Sequence, residues 1–219
     1  MRAFDREATL RAFDVSREAS EKLDVLVAEL KRWQPAQNLV SAATLPAVWH
    51  RHIADSAQLL DLAPQTGHWL DIGSGGGFPG LVIAILRSEA GLGVTSLMES
   101  NGRKCAFLRH VIRLTGTSGE VHQDRIERVA RQLPFNVSVV SARAVASLET
   151  LLAWTNPLLR KGAVGIFPKG QDVEMELDAA ARSWIFTADI HKSLTDRDGR
   201  ILAIRMPREE SASHDFRRD

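Results

Sequence analysis

Leu70-Asp71-Ile72-Gly73-Ser74-Gly75-Gly76-Gly77-Phe78-Pro79-Gly80 decides how the rest of the chain is read. Trp69-Leu70-Asp71-Ile72 is short, apolar and β-prone, whereas Leu81-Val82-Ile83-Ala84-Ile85-Leu86 continues apolar with no turn signal. The stretch therefore reads as the end of a buried strand, a glycine-rich turn and the start of a helix. Glycines without a Cβ let the backbone take positive φ and approach a ligand closely. Pro79 suits a first helical turn, where its missing N–H is not needed. The free N–H groups of that turn form an electropositive rim.

Two chemistries fit this turn. Gly75-x-Gly77-x-x-Gly80 satisfies the dinucleotide fingerprint G-x-G-x-x-G. Asp71-x-Gly73-x-Gly75-x-Gly77 satisfies the acidic D/E-x-G-x-G-x-G pattern of S-adenosylmethionine-dependent methyltransferases. The acid separates them, because it would face the cationic amino-acid end of a methyl donor rather than a pyrophosphate. Either ligand calls for a carboxylate about 20 residues on to hold ribose hydroxyls. Glu99 supplies it, after the strand-like run Gly93 to Met98. A turn that merely connects strand to helix is the bland alternative.

Outward from this stretch, strands and helices alternate: strand 68–72, helix 79–88, strand 93–98, helix 101–114, strand 119–123, a short helix 125–132, strand 137–140, helix 148–159, strand 163–167 and helix 173–182. Two β-prone runs, 184–190 and 201–206, flank Asp196-Arg197-Asp198-Gly199 and read as a closing antiparallel pair. Such alternation predicts an α/β fold with a doubly wound, mostly parallel sheet, its ligand at the carboxyl ends of the first strands. Residues 5–31 read as one amphipathic helix, stopped near Trp33-Gln34 by Pro35, and Leu45 to Leu62 reads as a second. The expected organisation is a helical cap over 1–66, a sheet domain over 67–207 and a polar tail over 208–219.

The chain has 219 residues, 44% of them hydrophobic, which suits one globular domain with a substantial core. Its net charge of +1 gives no global pull toward nucleic acid or membrane. A single cysteine, Cys105, excludes an internal disulfide and a multi-cysteine metal site. With a charged N-terminus and no apolar run near the roughly 20 residues needed to span a bilayer, a cytoplasmic protein without a membrane or metal is expected.

Other candidate chemistry sits at strand ends. In Gln123-Asp124-Arg125-Ile126-Glu127, Ile126 could cover an adenine face, or Asp124 and Glu127 could form a capping box; both remain open. Arg143, in Ser141-Ala142-Arg143-Ala144, either faces the cleft or pairs with Glu149 on the surface. Lys169 meets a phosphate or solvent. The arginines and lysine between 101 and 143 outnumber the acids there, which suits phosphate or simply solvated helix faces. His52-x-x-Asp55 lies on one helical face, with plain helix pairing the simplest reading and metal ligation by His50 or His52 an outside one. There is no nucleophile elbow, no H-E-x-x-H and no N-P-P-Tyr grip on an exocyclic amine. A ring nitrogen such as guanine N7 needs no such grip, because it carries a lone pair and no proton to remove.

Taken together, Trp33…Asn38-Leu39, Arg51-His52-Ile53-Ala54-Asp55-Ser56, the glycine stretch with its Phe78-Pro79-Gly80 extension, Arg103-Lys104…Phe107-Leu108, Arg125-Ile126-Glu127, Ser141-Ala142-Arg143-Ala144…Ala146-Ser147-Leu148 and Lys169-Gly170 resemble the RsmG (GidB) family, bacterial 16S ribosomal RNA guanine-N7 methyltransferases. The resemblance runs from about Trp33 to about Met206 and implies a class I, Rossmann-like fold using S-adenosyl-L-methionine. It implies that Gly73 and Phe78 line the donor site, with Asp71, Gly75 and Gly77 in the same motif. Ile126 and Glu127 would hold adenine, Glu99 the ribose, and Arg143 would close the pocket. Arg103, Lys104, Arg109 and Lys169 are the candidate RNA contacts; no catalytic base is assigned. The partner implied is the small ribosomal subunit or its late precursor, with no DNA and a monomeric enzyme expected. Asp55-Ser56-Ala57-Gln58 departs from the family, which more often continues apolar after Asp-Ser, and so does the basic end around Arg217-Arg218; neither is expected to touch the donor pocket.

Overall fold

β1 (His68–Ile72) sits centrally in a seven-stranded sheet with β2 (Thr95–Met98), β3 (Gly119–His122), β4 (Val137–Ser141), β5 (Val164–Lys169), β6 (Thr187–Lys192) and β7 (Arg200–Arg205), in the order β3-β2-β1-β4-β5-β7-β6. The structure is a computed structural model that describes residues 4–64 and 67–208. β1 pairs in parallel with β2 and β4, while β7 is antiparallel to both its neighbours, as the two late β-prone runs predict. The order reverses between β1 and β4, and that crevice at the strands' carboxyl ends is where a doubly wound sheet binds ligands.

Alternation along the strands sorts the core onto two faces. Leu70 and Ile72 join Val140 and Ala142 beneath α6 (Ile126–Val129), α7 (Leu148–Leu159) and α8 (Val173–Ala181). Trp69 and Asp71 point to the other face, covered by α4 (Gly80–Glu89) and α5 (Gly102–Thr115). Leu81 to Ile85 of α4 are buried all round the helix, because α2 (Arg17–Gln37) lies over it. Leu23, Leu26 and Leu30 of α2 share one cluster with Phe107, Leu108 and Val111 of α5. The N-terminal helix α2 thus packs as an outer layer on α4 and α5 and shares a core with them. Among the described residues no helix is long and apolar enough to cross a membrane.

Three local expectations are corrected. The helix read over 5–31 is two, α1 (Arg6–Ala12) and α2, because Asp14 turns left-handed at φ 46° and Ser16 caps Ala19. Pro35 does not stop α2; it lies inside the last turn, costing one backbone hydrogen bond, and Asn38 ends the helix at φ 46°. The segment 45–62 is not one α-helix. It is a 3₁₀ turn (Ala42–Ala47) holding Pro46, a π-helical stretch (Trp49–Ala54), the short α3 (Asp55–Ala57) and another 3₁₀ turn (Leu60–Leu62). Most of the expected polar tail, 209–219, lies outside the described residues.

Arg87 anchors the far end of α4. It is buried, its Nη2 donates to the carbonyls of Gly67 at 2.5 Å and Leu92 at 2.6 Å, and its guanidinium lies 5.5 Å from the Trp69 ring centroid. Arg87→Ala would strip both carbonyls and remove the packed stem, so we expect a loss of about 3 kcal/mol in urea unfolding. A loss below about 1 kcal/mol would show the carbonyls re-solvated at no cost.

Candidate active site

The glycine turn is shaped by what presses on it. Gly73 has φ +65°, and a Cβ there would come within 2.7 Å of Val145. A Cβ on Gly76 would meet the Leu39 carbonyl oxygen at 2.7 Å, so the connector after α2 rests directly on the turn. Gln34 holds that connector: its Nε2 donates to Val40 O at 2.6 Å, and its Oε1 accepts from Val40 N at 3.0 Å. Gly77 backs onto Leu81, inside the fold.

Asp71 does not reach a ligand. It is fully buried under α4, accepts from Ser141 Oγ at 2.6 Å, and Ser141 Oγ in turn accepts from Trp69 Nε1 at 2.9 Å. A Cβ on Gly80 would stand 2.6 Å from Asp71 Oδ2. The expectation that Asp71 faces the donor's amino-acid end is therefore replaced by a structural role: it joins β1 to β4 beneath the turn. Glu99 braces the turn from β2, Oε2 accepting from Gly75 N at 2.9 Å and Oε1 from Asn101 N at 2.8 Å. Asn101 then caps α5 through the N–H groups of Arg103 and Lys104.

A cleft of about 620 Å³ opens over the carboxyl ends of β1, β4 and β5. Gly73, Gly75, Gly76 and Phe78 line it, facing Val40, Ser41 and Thr44 of the connector and Pro168 to Gly170 after β5. Arg51, Lys104, Arg143, Lys169 and Arg200 line it against Asp55, Glu176 and Asp196. Ile126, Glu127 and Glu99 do not. Ile126 is buried in the cluster containing Met98 and Ala142, and Glu127 is exposed. Of the two readings left open for this stretch, the Asp124–Glu127 capping box does not form, since Arg125 is the cap residue and Asp124 Oδ1 accepts from Arg125 N.

Arg143 is the hub of the cleft. Its Nη1 donates to Asp55 Oδ2 at 2.8 Å and to Arg51 O at 2.9 Å, and its Nη2 donates to His52 Nδ1 at 2.9 Å. Pairing with Glu149 does not occur; Glu149 meets Ser183. Because Arg143 always donates, His52 Nδ1 accepts and Nε2–H donates to Thr44 Oγ1 at 2.8 Å, whose hydroxyl reaches Ser41 O. The Phe78 ring lies 4.7 Å from the His52 ring and 5.8 Å from the Arg143 guanidinium carbon. Asp55 Oδ1 accepts from Thr195 Oγ1 at 2.5 Å and Gln58 Nε2 at 3.0 Å. The His52-x-x-Asp55 spacing thus serves one arginine 88 to 91 residues on, across a π-helical turn of the kind that clusters at functional sites. Gln58, in the segment that departs from the family, does not line the cleft but holds Asp55 from behind, and its Oε1 accepts from Leu194 N at 2.8 Å.

The basic candidates separate. Arg103 and Arg109 are exposed on α5, Arg109 donating to Val121 O, and Lys104 is on the cleft rim. Lys169 is not a free RNA contact. Its side chain is 7% exposed, and Nζ donates to Glu176 Oε2 at 2.7 Å and to Ala146 O at 3.0 Å. Thr44 and Thr195 carried no local sequence signal, and Asp196 was marked only as part of a turn.

Two buried groups titrate in opposite senses. Burial first, then Arg143, pushes His52 down to about 4, and burial pushes Asp71 up to about 6 against the hydrogen bond from Ser141. Between pH 4 and 6.5 the unfolded chain protonates His52 while the folded chain does not, so this site's stability is present above pH 6.5 and lost on acidification. Between pH 3.8 and 6 the folded chain keeps a proton on Asp71 that the unfolded chain releases, so that contribution is lost as pH rises. Each is worth on the order of 3 kcal/mol, and they offset one another. His52→Gln should therefore lose stability from pH 4 to 6, and Asp71→Asn from pH 6.5 down to 4, in urea titrations. Parallel profiles for both variants would refute the pairing.

The sequence profile of the GidB family, described as rRNA small subunit methyltransferase G, matches residues 19–209. The chain is 52% identical over 205 residues to the ribosomal RNA small subunit methyltransferase G of Methylobacterium nodulans, covering 93% of this chain and 96% of that one. It is 47% identical over 216 residues to the protein of that name from Rhodopseudomonas palustris, covering 96% and 91%. Among solved structures, a ribosomal protein L11 methylase from Lactobacillus delbrueckii subsp. bulgaricus superposes with a TM-score of 0.56 at 16% identity, over 72% of this chain and 79% of that one. A mutant of MtNAS in complex with S-adenosylmethionine gives 0.55 at 12% identity, over 93% and 84%. These structures share the fold.

Proposed function

The chain belongs to the GidB family of small-subunit rRNA methyltransferases, and we propose that it transfers a methyl group from S-adenosyl-L-methionine to N7 of one guanine in the decoding-region loop of 16S rRNA. The observation that carries the site assignment is the cleft wall of Gly73, Gly75 and Gly76, bare of Cβ atoms, set against a guanidinium fixed from three sides. When bound, S-adenosyl-L-methionine supplies an electrophilic methyl group. Gly73, Gly75 and Phe78 would hold it on the β1 side, with Glu99 keeping the turn in place and offering its remaining lone pairs to ribose hydroxyls. Ile126 and Glu127 would border adenine outside the cleft proper.

The acceptor nitrogen attacks through its own lone pair, so orientation does the work and no side chain removes a proton. Methylation leaves a cationic purine ring, and Asp196, the cleft carboxylate not paired to Arg143 or Lys169, would stabilise that charge as it develops. Lys104 on the rim and the exposed Arg103 beside it, both in the first turn of α5, take RNA phosphates. The substrate in this reading is the small subunit or its late precursor, and the enzyme acts as a cytoplasmic monomer.

The test is transfer of labelled methyl from S-adenosyl-L-methionine to small subunits lacking N7 methylation, with the base mapped. Label on one guanine N7, and none on large subunits, is the expected result. Saturable donor binding without label would leave a donor-binding protein with a different acceptor.

A further inference from the structure

We propose that Asp196 reads the Watson–Crick edge of the acceptor guanine, and this rests on the guanine-N7 reading above. The cleft extends past the glycine turn to the link between β6 and β7, where Ser193, Asp196, Gly199 and Arg200 form its far wall. Of its three carboxylates, two are committed. Asp55 is taken by Arg143, Thr195 and Gln58. Glu176 Oε2 accepts from Lys169 Nζ and from Leu148 N at 2.6 Å. Asp196 Oδ1 accepts from Asp198 N at 3.1 Å, the Gly199 N–H also bonds the carboxylate, and Oδ2 meets Arg51 Nη1 at 3.4 Å, with both side chains 45% exposed and no other side chain paired with it among the described residues. Its charge is secure, because the Asp198 N–H and Arg51 hold its carboxyl below the usual range.

The link is also held still. Asp196 N donates to Ser193 Oγ, Ser193 N to Gly199 O and Gly199 N to Asp196 O. Leu194 N and Thr195 Oγ1 tie it to Gln58 and Asp55 beside the π-helical turn. A carboxylate displayed on a braced turn, with its best partner at long range, is placed to exchange that partner for a ligand.

The chemistry follows from which edge must face the donor. A guanine with N7 and O6 turned toward the Gly73–Phe78 side points N1–H and the N2 amino group away, across the cleft. Those are two adjacent donors, which match the two oxygens of a carboxylate. Adenine presents an N1 lone pair there and is repelled. Arg51, released as Asp196 engages the base, is free for the nucleotide's phosphate.

Asp196→Ala and Asp196→Asn would be assayed in single turnover on small subunits lacking N7 methylation, and on subunits carrying adenine at the target position, with donor affinity measured by calorimetry. Donor affinity should stay within twofold of wild type. Both variants should lose 10- to 100-fold in kcat/KM on the guanine substrate. Asp196→Asn should also gain adenine N7 label, because its amide can donate to the adenine N1 lone pair that the carboxylate repels. Arg51→Met separates the roles: it should slow both substrates without shifting the base preference. Wild-type label on guanine N7 with unchanged rates and preference in both Asp196 variants would overturn this assignment alone. Wild-type label elsewhere would overturn it together with the functional reading.

Discussion

Gly73→Asp is expected to abolish donor binding while leaving the chain folded. Gly73 lines the cleft at φ +65°, a left-handed conformation that aspartate tolerates better than most residues, at a cost of about 1–2 kcal/mol. The new Cβ would press on both Val145 methyls, at 2.7 and 3.0 Å, and Val145, 36% exposed on the loop after β4, would have to shift outward. Far-UV circular dichroism should therefore be unchanged, with Tm lower by about 2–6 °C. Binding fares worse, because the new carboxylate would occupy ligand space and oppose the donor's own carboxylate. At about 4 Å and an effective dielectric near 20, like charges repel by about 4 kcal/mol, or about a thousandfold in Kd. Gly75→Ala is the strain control. Its φ is +54°, and the nearest atom to a new Cβ is Gly73 O at 3.7 Å, so it carries a similar backbone cost without a charge. Calorimetry should find donor binding in Gly75→Ala and none in Gly73→Asp. Equal affinity in the two would remove the turn from the donor site.

The contrast between those glycines marks what could be read from sequence. The strand–turn–helix unit at 69–86 was legible because its periodicity and its glycines are local, and so was the alternation that builds the sheet. Asp71 was misread because a motif gives spacing without direction. The pleat turns Asp71 to the α4 face, where Gly80 and Ser141 enclose it. Pro35 was misread because a proline near a helix end removes a single hydrogen bond, and the packing of α2 on α4 and α5 outweighs it. The site's organising contacts were hidden for a different reason. Arg143 with Asp55 joins residues 88 apart, and Thr195 with Asp55 joins residues 140 apart. No periodicity reports such pairs; only the family resemblance put Arg143 and the His52–Asp55 helix in one argument.

Arg143→Ala should lower kcat/KM by about 10²–10³, the loss typical of removing a preorganised donor from a site that depends on orientation. Three hydrogen bonds go at once: those to Asp55, to Arg51 O and to His52. With the Arg143 and Asp55 side chains 19% and 18% exposed, the pair is shielded enough for its loss to be felt. Thr195 and Gln58 still hold Asp55, which limits the stability cost to about 2 kcal/mol. Arg143→Lys keeps the charge but not the fork, since one ammonium cannot span Asp55, Arg51 O and His52 together, so most of the activity should stay lost. His52 supplies a readout independent of turnover. Arg143 is the second cause, after burial, of its depressed pKa, so in Arg143→Ala the His52 ring should titrate closer to 6.5 by NMR. The double variant Arg143→Ala/Asp55→Ala should be less impaired in stability than the two single losses added together, because each leaves the other's charge uncompensated. A folded Arg143→Ala enzyme within threefold of wild type, with His52 still titrating near 4, would mean that neither the cleft nor the histidine depends on this guanidinium.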